Sequence, residues 1–504
     1  MPEYVLAYDV GTTAAKSILL RASGTLVASA SHPYETSYGR SGWAEQDPWA
    51  WWQAVVHSTK EIVQRVPACG RGIAAIGVSG QMLGCLPVDR EGSHLRNAMI
   101  HSDTRAIAQC ERLSGEVGLK KIYTITGSRV SPQSTICKIM WLKDEEKSLY
   151  RKTFKFVQCK DYITSKLTGT LGPTDYSDAS HSVLMDVTER EWAADLLEAA
   201  QIKEHKLPQI SPSAAVQGHL HKAAARSLGL PSGIPVVVGG GDGACASTGA
   251  GAVSPGRAYT YLGGTGWVSL ALDGPFIDPG MRVFNILGLD PSTCGIYGTV
   301  QCAGSAHRWV ANLLNIRSYR RLDKMIEKAA IGSDGLFFLP YLMGERTPLW
   351  DPYARGVYFG LSLSHDRNRI ARATVEGVSY ALKSVTDILE EATSIGEMRL
   401  IGGGGRSKAW RGILANIYGR KLLLPRTVGE ATCCGAAIAA GVGMGLFADY
   451  QEGVSRISRV KDECLPDRDS HQRYKRLFQF WKSLYPRLKP AYPELHALLE
   501  EHAL

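Results

Sequence analysis

The cysteines of this sequence are too irregularly spaced to form a disulfide framework or a zinc ribbon. The 504 residues contain 11 cysteines, an odd number, and none of them are spaced as Cys-x-x-Cys. Cys433 and Cys434 are adjacent, which suits two small buried apolar side chains better than a disulfide bridge. We therefore expect a protein of the reducing cytoplasm.

Long apolar runs and clusters of basic residues are missing too. No run approaches the roughly 20 apolar residues of a membrane-spanning helix, and the N-terminal residues lack the basic and apolar segments of a signal peptide. The net charge of +9 suits anionic ligands, but no block of Lys and Arg or basic stripe with interleaved aromatic residues occurs. We expect a cytoplasmic protein that binds neither membranes nor nucleic acid.

Two common nucleotide-binding motifs are incomplete. A P-loop has a glycine directly before its Lys-Ser/Thr pair, whereas Lys16 follows an alanine. The Gly-x-Gly-x-x-Ala run at 239–244 has the spacing of a Rossmann fingerprint, but no Asp or Glu lies about 20 residues further on. The sequence therefore predicts neither a P-loop NTPase nor a Rossmann dinucleotide site.

The length exceeds that of one comfortable domain. We predict two domains, residues 1–248 and 249–504, the second ending in a helical tail. Apolar runs separated by turn residues predict a meander of three strands at 4–9, 15–21 and 25–31. Helices and strands alternate after this meander, which is typical of an α/β protein.

Individual elements can be predicted further along the chain. Asp47 and Pro48 have the residue types of a helix N-cap and first helical position, and 73–79 has the pattern of a buried strand. A strand at 398–401 leads into four glycines and a helix, an arrangement that can receive a nucleotide. The apolar faces predicted for these two helices consist of Trp49, Trp52, Val55 and Val56, and of Trp410, Ile413, Leu414 and Ile417.

A short turn suited to phosphate binding occurs twice. In the first copy, two apolar runs flank a bend that contains Asp9, Thr12 and Thr13. In the second, they flank a bend that contains Gly264 and Thr265. Backbone N–H groups and Thr hydroxyls in such turns donate hydrogen bonds to phosphate, and two half-domains that carry them suit ATP.

Two aspartates are candidates for phosphoryl-transfer chemistry. Asp9 is either a turn former or a ligand of Mg²⁺, which needs few protein carboxylates when phosphate and water complete its coordination. Asp242 follows a strand among glycines and either caps the next helix or accepts the proton of a substrate hydroxyl. The residues alone leave these alternatives open.

Taken together, these residues resemble the FGGY family of carbohydrate kinases, most closely its xylulokinase branch, from about residue 4 to about residue 445. Many ordered matches make the resemblance specific. The stretches that carry it are 9–13, 42–48 with 51–52, 80–82, 239–244, 262–266, 339–348, 356–360 and 401–407.

The resemblance implies an α/β fold of two duplicated ribonuclease-H-like domains, of the actin and Hsp70 ATPase type, around a hinged cleft. It implies ATP-dependent phosphorylation of a sugar hydroxyl, with ATP and Mg²⁺ as cofactors and a sugar as the partner molecule, and it allows a homodimer. The implied roles are Asp242 as catalytic base and sugar ligand, Asp9 as Mg²⁺ ligand, Gln81, Met82 and Asp103 as sugar contacts, Thr12, Thr13, Gly264 and Thr265 around the phosphates, and Gly403 and Gly404 against adenosine.

Two positions depart from the xylulokinase pattern, which has His in place of Leu83 and Asn in place of Gly243. Each change removes hydrogen-bonding capacity near the sugar, so either other side chains and waters compensate or the substrate is a related ketose or polyol. The departures also favour a sensor that binds sugar or nucleotide without turnover, whereas the presence of Asp9 and Asp242 argues against it. An actin-like or chaperone ATPase shares the fold by analogy only.

Overall fold

The computed structural model describes residues 3–501, apart from the side chains of residues 68, 500 and 501. The strands are β1 (Tyr4–Val10), β2 (Ala14–Arg21), β3 (Leu26–Pro33), β4 (Glu45–Gln46), β5 (Ile73–Gly80), β6 (Leu86–Val88), β7 (Ala98–Met99), β8 (Lys155–Val157), β9 (Thr174–Asp175), β10 (Met185–Asp186), β11 (Glu191–Trp192), β12 (Ile210–Ser211), β13 (Val216–His219), β14 (Pro235–Val237), β15 (Gly240–Gly241), β16 (Arg257–Leu262), β17 (Gly266–Leu272), β18 (Phe284–Leu287), β19 (Cys294–Val300), β20 (Phe337–Leu339), β21 (Val357–Phe359), β22 (Glu397–Ile401), β23 (Leu422–Pro425) and β24 (Val460–Cys464).

The α-helices are α1 (Pro48–Arg65), α2 (Ile107–Val117), α3 (Leu119–Thr126), α4 (Thr135–Glu145), α5 (Lys147–Lys152), α6 (Cys159–Thr168), α7 (Tyr176–His181), α8 (Ala194–Ala200), α9 (Lys222–Leu228), α10 (Asp242–Ala250), α11 (Gly304–Leu313), α12 (Tyr319–Lys328), α13 (Arg367–Leu389), α14 (Lys408–Tyr418), α15 (Ala431–Gly443), α16 (Tyr450–Ile457), α17 (Arg468–Leu488) and α18 (Ala491–Glu501). Within residues 3–501, every helix is too short or too polar to cross a lipid bilayer.

The chain forms two compact units, each assembled from separated segments. Unit 1 comprises Met1–Pro255, Ala271–Ile296 and Glu430–Arg459, and unit 2 comprises Gly256–Leu270, Tyr297–Gly429 and Val460–Leu504. The domain boundary at 248/249 stays a prediction, since a single cut in the sequence describes neither unit completely.

The main sheet of unit 1 has the strand order β13-β14-β5-β1-β2-β3, and β15 also pairs with β5. Strand β1 is antiparallel to β2 and parallel to β5. Helix α1 packs on the β2–β3 side, where the Tyr8 hydroxyl lies 2.9 Å from Thr59 Oγ1 and the Ser17 hydroxyl 2.6 Å from Ser58 Oγ. These contacts give the buried hydroxyls hydrogen-bond partners where the helix packs on the sheet.

Unit 2 repeats this pattern. Its strands run in the order β19-β17-β16-β22-β23-β24. Strand β16 forms an antiparallel hairpin with β17 and is parallel to β22, just as β1 pairs with β2 and β5 in unit 1. The same local arrangement in both units is the structural counterpart of the turn that occurs twice in the sequence.

Most of the predicted elements are confirmed. Strands β1, β2, β3, β5 and β22 and helices α1 and α14 lie within a few residues of their predicted positions. Asp47 caps α1 and accepts a hydrogen bond from the Trp49 backbone N–H at 2.8 Å. The apolar face predicted for α1 is wrong at Trp49, whose side chain is 48% exposed, while its neighbour Trp51 is buried and donates its ring N–H to Gln46 Oε1.

Candidate active site

The candidate catalytic residues of unit 1 lie at one edge of its sheet. Strands β1, β5 and β15 are parallel, so their carboxyl ends meet there. Ser79 on β5 pairs with Asp9 on one side and with Gly240 on the other, and Asp242 comes two residues after Gly240. Open α/β sheets bind ligands at such an edge.

Asp9 is a partly buried carboxylate beside a lysine. Burial raises the pKa of Asp9 to about 6, and the positive charge of Lys16 opposes the rise. Lys16 pairs directly with Asp9 across the β1–β2 hairpin. The Oδ1 atom of Asp9 is shielded from solvent and accepts no hydrogen bond from a described residue. An orphaned carboxylate oxygen of this kind suits a hard cation, and Mg²⁺ takes only one or two protein carboxylates.

Asp242 is the first residue of α10. The N-cap of that helix is Gly241, so Asp242 does not occupy the capping position that the sequence left open as an alternative. Burial, and to a smaller extent the nearby Asp9 carboxylate, raise the pKa of Asp242 to about 7. A carboxylate that titrates near neutral pH is well matched to accepting a proton from a hydroxyl.

Thr12 and Thr13 lie in the turn between β1 and β2. The turn closes through a hydrogen bond from the Gly11 N–H to the Ala14 carbonyl at 3.2 Å. Gln46 Nε2 donates to the Thr12 carbonyl at 2.6 Å, and Thr13 is exposed. Hydrogen bonds to backbone carbonyls therefore fix the turn, while Thr13 is exposed and Thr12 is half-buried.

Gln81 and Met82 follow β5 at the same sheet edge. The Gln81 backbone N–H donates to the Val10 carbonyl at 2.9 Å and its Nε2 donates to Gln46 Oε1 at 2.7 Å. Its Oε1 is buried and accepts no hydrogen bond from a described residue. Met82 packs so closely against Gly241 that a Cβ there would lie 2.6 Å from the Met82 sulfur. This contact places Met82 next to Asp242.

Asp103 is fully buried and engaged with an arginine. Its Oδ1 accepts from Arg105 Nε at 2.9 Å, and its Oδ2 accepts from Arg105 Nη2 at 2.6 Å and from the Ala44 N–H at 2.7 Å. Arg105 also lies over Trp43, 3.5 Å from the ring centroid, and donates to Glu45 Oε1 at 2.6 Å. A direct contact between Asp103 and a sugar stays a prediction; the structure shows Asp103 holding Arg105.

The two departures from the xylulokinase pattern lie at this edge as well. Leu83 directly follows Met82 and has a φ of 59°, in the left-handed region that leucine rarely adopts. A Cβ on Gly243 would lie 3.0 Å from Ile286 Cδ1 and 3.5 Å from the Met82 sulfur. A side chain larger than hydrogen therefore fits at position 243 only if Ile286 shifts.

In unit 2, Gly264 and Thr265 form the turn between β16 and β17. The Gly264 carbonyl accepts hydrogen bonds from the Ala303 N–H at 3.1 Å and the Ser305 N–H at 2.9 Å, at the start of α11. Both turn residues are exposed, and a Cβ on Gly264 would meet no atom within 4 Å. Hydrogen bonds to the Gly264 carbonyl therefore hold the turn in place, while no protein atom fills the space next to the Gly264 Cα.

Gly403 and Gly404 follow β22, in a 3-10 turn at Gly403–Arg406. Tyr261 of β16 pairs with Ile401 of β22 in the parallel ladder, so the turns after these two strands share an edge of the unit 2 sheet. A Cβ on Gly404 would lie 2.8 Å from the Leu262 Cβ, whereas a Cβ on Gly403 would meet nothing within 4 Å. The structure thus brings the four residues of unit 2 that were predicted to bind the nucleotide to one edge of its sheet.

Two residues of the unit 1 site were not predicted from the sequence. Lys16 faces Asp9, and Gln46 links Thr12 to Gln81. The register of the β1–β2 hairpin, counted outward from the turn, could have placed Lys16 opposite Asp9. Gln46 lies in the stretch 42–48 that carried the family resemblance, but nothing in that stretch indicates which residue its amide contacts.

Family models match most of the chain. Residues 4–249 match the N-terminal domain of the FGGY family of carbohydrate kinases, and residues 268–444 match its C-terminal domain. The chain belongs to this family. It is 31% identical over 487 residues to the xylulose kinase of Staphylococcus xylosus, covering 96% of this chain and 99% of the relative. It is 30% identical over 512 residues to the gluconokinase of Bacillus subtilis (strain 168), covering 98% of each.

Solved structures of the FGGY family have the same architecture. A ligand-bound xylulose kinase from Lactobacillus acidophilus superposes with a TM-score of 0.91 at 27% identity, covering 98% of this chain and 99% of that one. The predicted fold class, α/β with two ribonuclease-H-like domains of the actin and Hsp70 type, is confirmed. The protein is a carbohydrate kinase, and membership of the family implies ATP as its phosphoryl donor.

Proposed function

We propose that this FGGY kinase transfers the γ-phosphoryl group of ATP to a hydroxyl of a pentulose such as xylulose, or of a related ketose or polyol. The bond between the γ-phosphorus and the ADP oxygen breaks, a bond from phosphorus to the sugar oxygen forms, and the hydroxyl proton leaves. Asp242 accepts that proton. The observation that carries this assignment is an aspartate with a pKa of about 7 at the carboxyl edge of the sheet, beside a second carboxylate.

Mg²⁺ fits the residues around Asp9. The unpartnered Oδ1 of Asp9 would hold the ion, while Lys16 opposite limits the build-up of negative charge from Asp9 and Asp242. When bound, Mg²⁺ neutralises charge on the transferring phosphoryl group. The described residues contain no group of three His, Cys, Asp or Glu able to chelate a metal, which agrees with an ion bound mainly through phosphate and water.

Gln81 and Met82 are our proposed sugar contacts. Gln81 Oε1 is a buried acceptor without a partner among the described residues, and such a group costs about 1–3 kcal/mol unless a ligand donates to it. A sugar hydroxyl supplies that hydrogen bond. Met82 provides an apolar surface next to Asp242, against which the carbon skeleton of the sugar packs.

Unit 2 supplies the proposed ATP contacts. The open faces of Gly264 and Gly403 leave room for a ligand to approach the backbone closely, which is the usual reason for glycine at phosphate and nucleotide sites. Thr265 offers an exposed hydroxyl beside Gly264, and Gly404 continues the turn that would lie against adenosine. In unit 1, Thr12 and Thr13 are our proposed additional phosphate donors.

Similarity to the relatives does not identify the sugar substrate. Xylulose kinases and gluconokinases are about equally similar to this chain, at 31% and 30% identity. The test is to incubate the enzyme with Mg-ATP and a panel of D-xylulose, D-ribulose, D-fructose, D-gluconate and glycerol, measuring ADP and sugar phosphate. We expect turnover with at least one ketose or polyol. Calorimetric binding of a sugar without ADP release would instead support the sensor.

The base assignment has its own variant pair. Asp242→Asn keeps the shape of the side chain and should lower kcat by about 10²–10⁴-fold, the range for loss of a general base. Asp195→Asn is the matched control, because Asp195 is an exposed aspartate in the first turn of α8. Full turnover by Asp242→Asn would refute the assignment.

A further inference from the structure

Helix α4 carries a lysine that lies wholly inside unit 1. The Lys138 side chain is 0% exposed, and its Nζ donates to the Leu83 carbonyl and to the Ile100 carbonyl, each at 2.7 Å. Fully buried lysines are rare and are usually paired with a carboxylate. Here the ammonium group is instead directed at two backbone carbonyls from different parts of the chain.

Both carbonyls belong to turns that carry predicted sugar contacts. Leu83 directly follows Gln81 and Met82. Ile100 begins the turn to Asp103, whose backbone N–H donates to the same Ile100 carbonyl at 3.0 Å. Lys138 Nζ therefore donates one hydrogen bond to each of the two turns and links them.

A second side chain of α4 supports the first turn. Thr135 lies three residues before Lys138, on the same face of the helix, and its Oγ1 donates to the Gly84 carbonyl at 3.1 Å. Consecutive carbonyls, those of Leu83 and Gly84, are thus bound by α4. Leu83 needs this support because its φ of 59° is unfavourable for a residue with a Cβ and persists only when its surroundings hold it.

The hydrogen bonds from α4 to the two turns, which we call the clamp, do not depend on the charge of the lysine. Burial lowers the pKa of Lys138 to about 8, and the negative charge of Asp103 opposes that shift. Protonated Lys138 has three N–H donors and the neutral amine has two, so both forms can donate to both carbonyls.

We propose that Lys138 is a positioning residue for sugar binding: it fixes the turn 81–83 relative to the turn 100–103 without touching the sugar itself. This inference rests on the proposed function, because it assumes that the turn 81–83 contacts the substrate. It also gives Leu83 a defined orientation, so the residue that departs from the xylulokinase pattern is held in one conformation.

The test compares Lys138→Met with Lys143→Met in the full-length enzyme, using whichever panel sugar the wild type phosphorylates. Lys143 lies on the same helix and donates to Gln201 Oε1 at 2.8 Å, away from the two turns. We expect Lys138→Met to raise the KM for the sugar at least about 10-fold while the KM for ATP changes less than about 2-fold. Lys143→Met should leave both KM values unchanged.

Three results would overturn the proposal: a folded Lys138→Met enzyme with unchanged sugar KM, an equal rise in both KM values, or the same sugar effect in Lys143→Met. If Lys138→Met does not fold, Thr135→Val removes the hydroxyl that donates to the Gly84 carbonyl and accepts from Gln158 Nε2 at 3.4 Å. It should raise the sugar KM about 3-fold, and an unchanged value would equally count against the clamp.

Failure of the proposed function gives a different result. Met82→Ala removes a side chain that we place directly in the sugar site. If it leaves the sugar KM unchanged, or if the wild type phosphorylates no sugar of the panel, the assignment of the turn 81–83 falls, and the role of Lys138 with it. If Met82→Ala raises the sugar KM and Lys138→Met does not, the proposal for Lys138 alone is wrong.

Discussion

Replacing Asp242 with asparagine should stabilise the enzyme while lowering its kcat by about 10²–10⁴-fold. The pKa of Asp242 is raised from 3.8 to about 7 by burial and by the charge of Asp9. Folding therefore opposes ionisation of this carboxyl group. The favourable contribution of its protonated form is complete below pH 3.8 and is lost as the pH rises through about 7.

The size of the effect follows from that shift. A rise of roughly 3 pKa units corresponds to about 4 kcal/mol of differential interaction. Because Asp242 is partly exposed, water screens some of this cost, and we expect about 2 kcal/mol at pH 8. At pH 5 only about a third of the cost has accumulated, so the Asp242→Asn variant should gain about 0.7 kcal/mol there.

The assay is urea unfolding of the wild type and Asp242→Asn at pH 5 and pH 8, without Mg²⁺ or nucleotide. The variant should unfold at higher urea than the wild type, by a larger margin at pH 8. Asp195→Asn, the exposed control, should show no such difference. An Asp242→Asn enzyme no more stable than the wild type at pH 8, or equally stabilised at both pH values, would refute the reasoning from a buried charge.

Three further predictions concern the other site residues. Asp9→Asn should move the acid limb of the kcat/KM profile below pH 7, because the Asp9 charge raises the pKa of Asp242, and a move of that limb to higher pH would contradict this. In a metal titration the same variant should show weaker Mg²⁺-dependent activity. Gly403→Val should raise the KM for ATP about 10-fold or more without changing Tm, since a Cβ at position 403 meets no protein atom within 4 Å. Gly402→Val should lower Tm, because a Cβ there would lie 2.6 Å from the Leu262 carbonyl oxygen. Equal Tm values for the two variants would count against this geometry. Leu83→His should raise kcat/KM for D-xylulose relative to the other panel sugars by about 10-fold, and an unchanged ratio would show that position 83 does not select the sugar.

The secondary structure near the site was predictable because its signals are local. Apolar runs separated by turn residues predicted β1 and β2, and the Asp47-Pro48 pair predicted the start of α1. The face of α1 was less predictable. Helical periodicity selected Trp49 and Trp52, of which Trp52 is buried and Trp49 is 48% exposed. Trp51, which the periodicity did not select, is buried and donates its ring N–H to Gln46 Oε1.

The candidate residues themselves were also found from the sequence, whereas their chemical state was not. Asp103 was predicted as a sugar contact, yet both of its carboxylate oxygens accept hydrogen bonds from Arg105. The burial of Lys138 was not predictable, since lysine side chains are ordinarily exposed. The two carbonyls that Lys138 binds, those of Leu83 and Ile100, come from turns that no spacing rule connects.

The sequence by itself determined the family, the two-unit plan and the positions of the two aspartates, because these depend on motifs and on hydrophobic periodicity within short segments. Only the tertiary structure decided that Asp9 and Asp242 lie at one sheet edge and that Lys138 is buried. The reason is physical: a pKa depends on burial and on charges nearby in space, and those neighbours come from segments far apart in the chain.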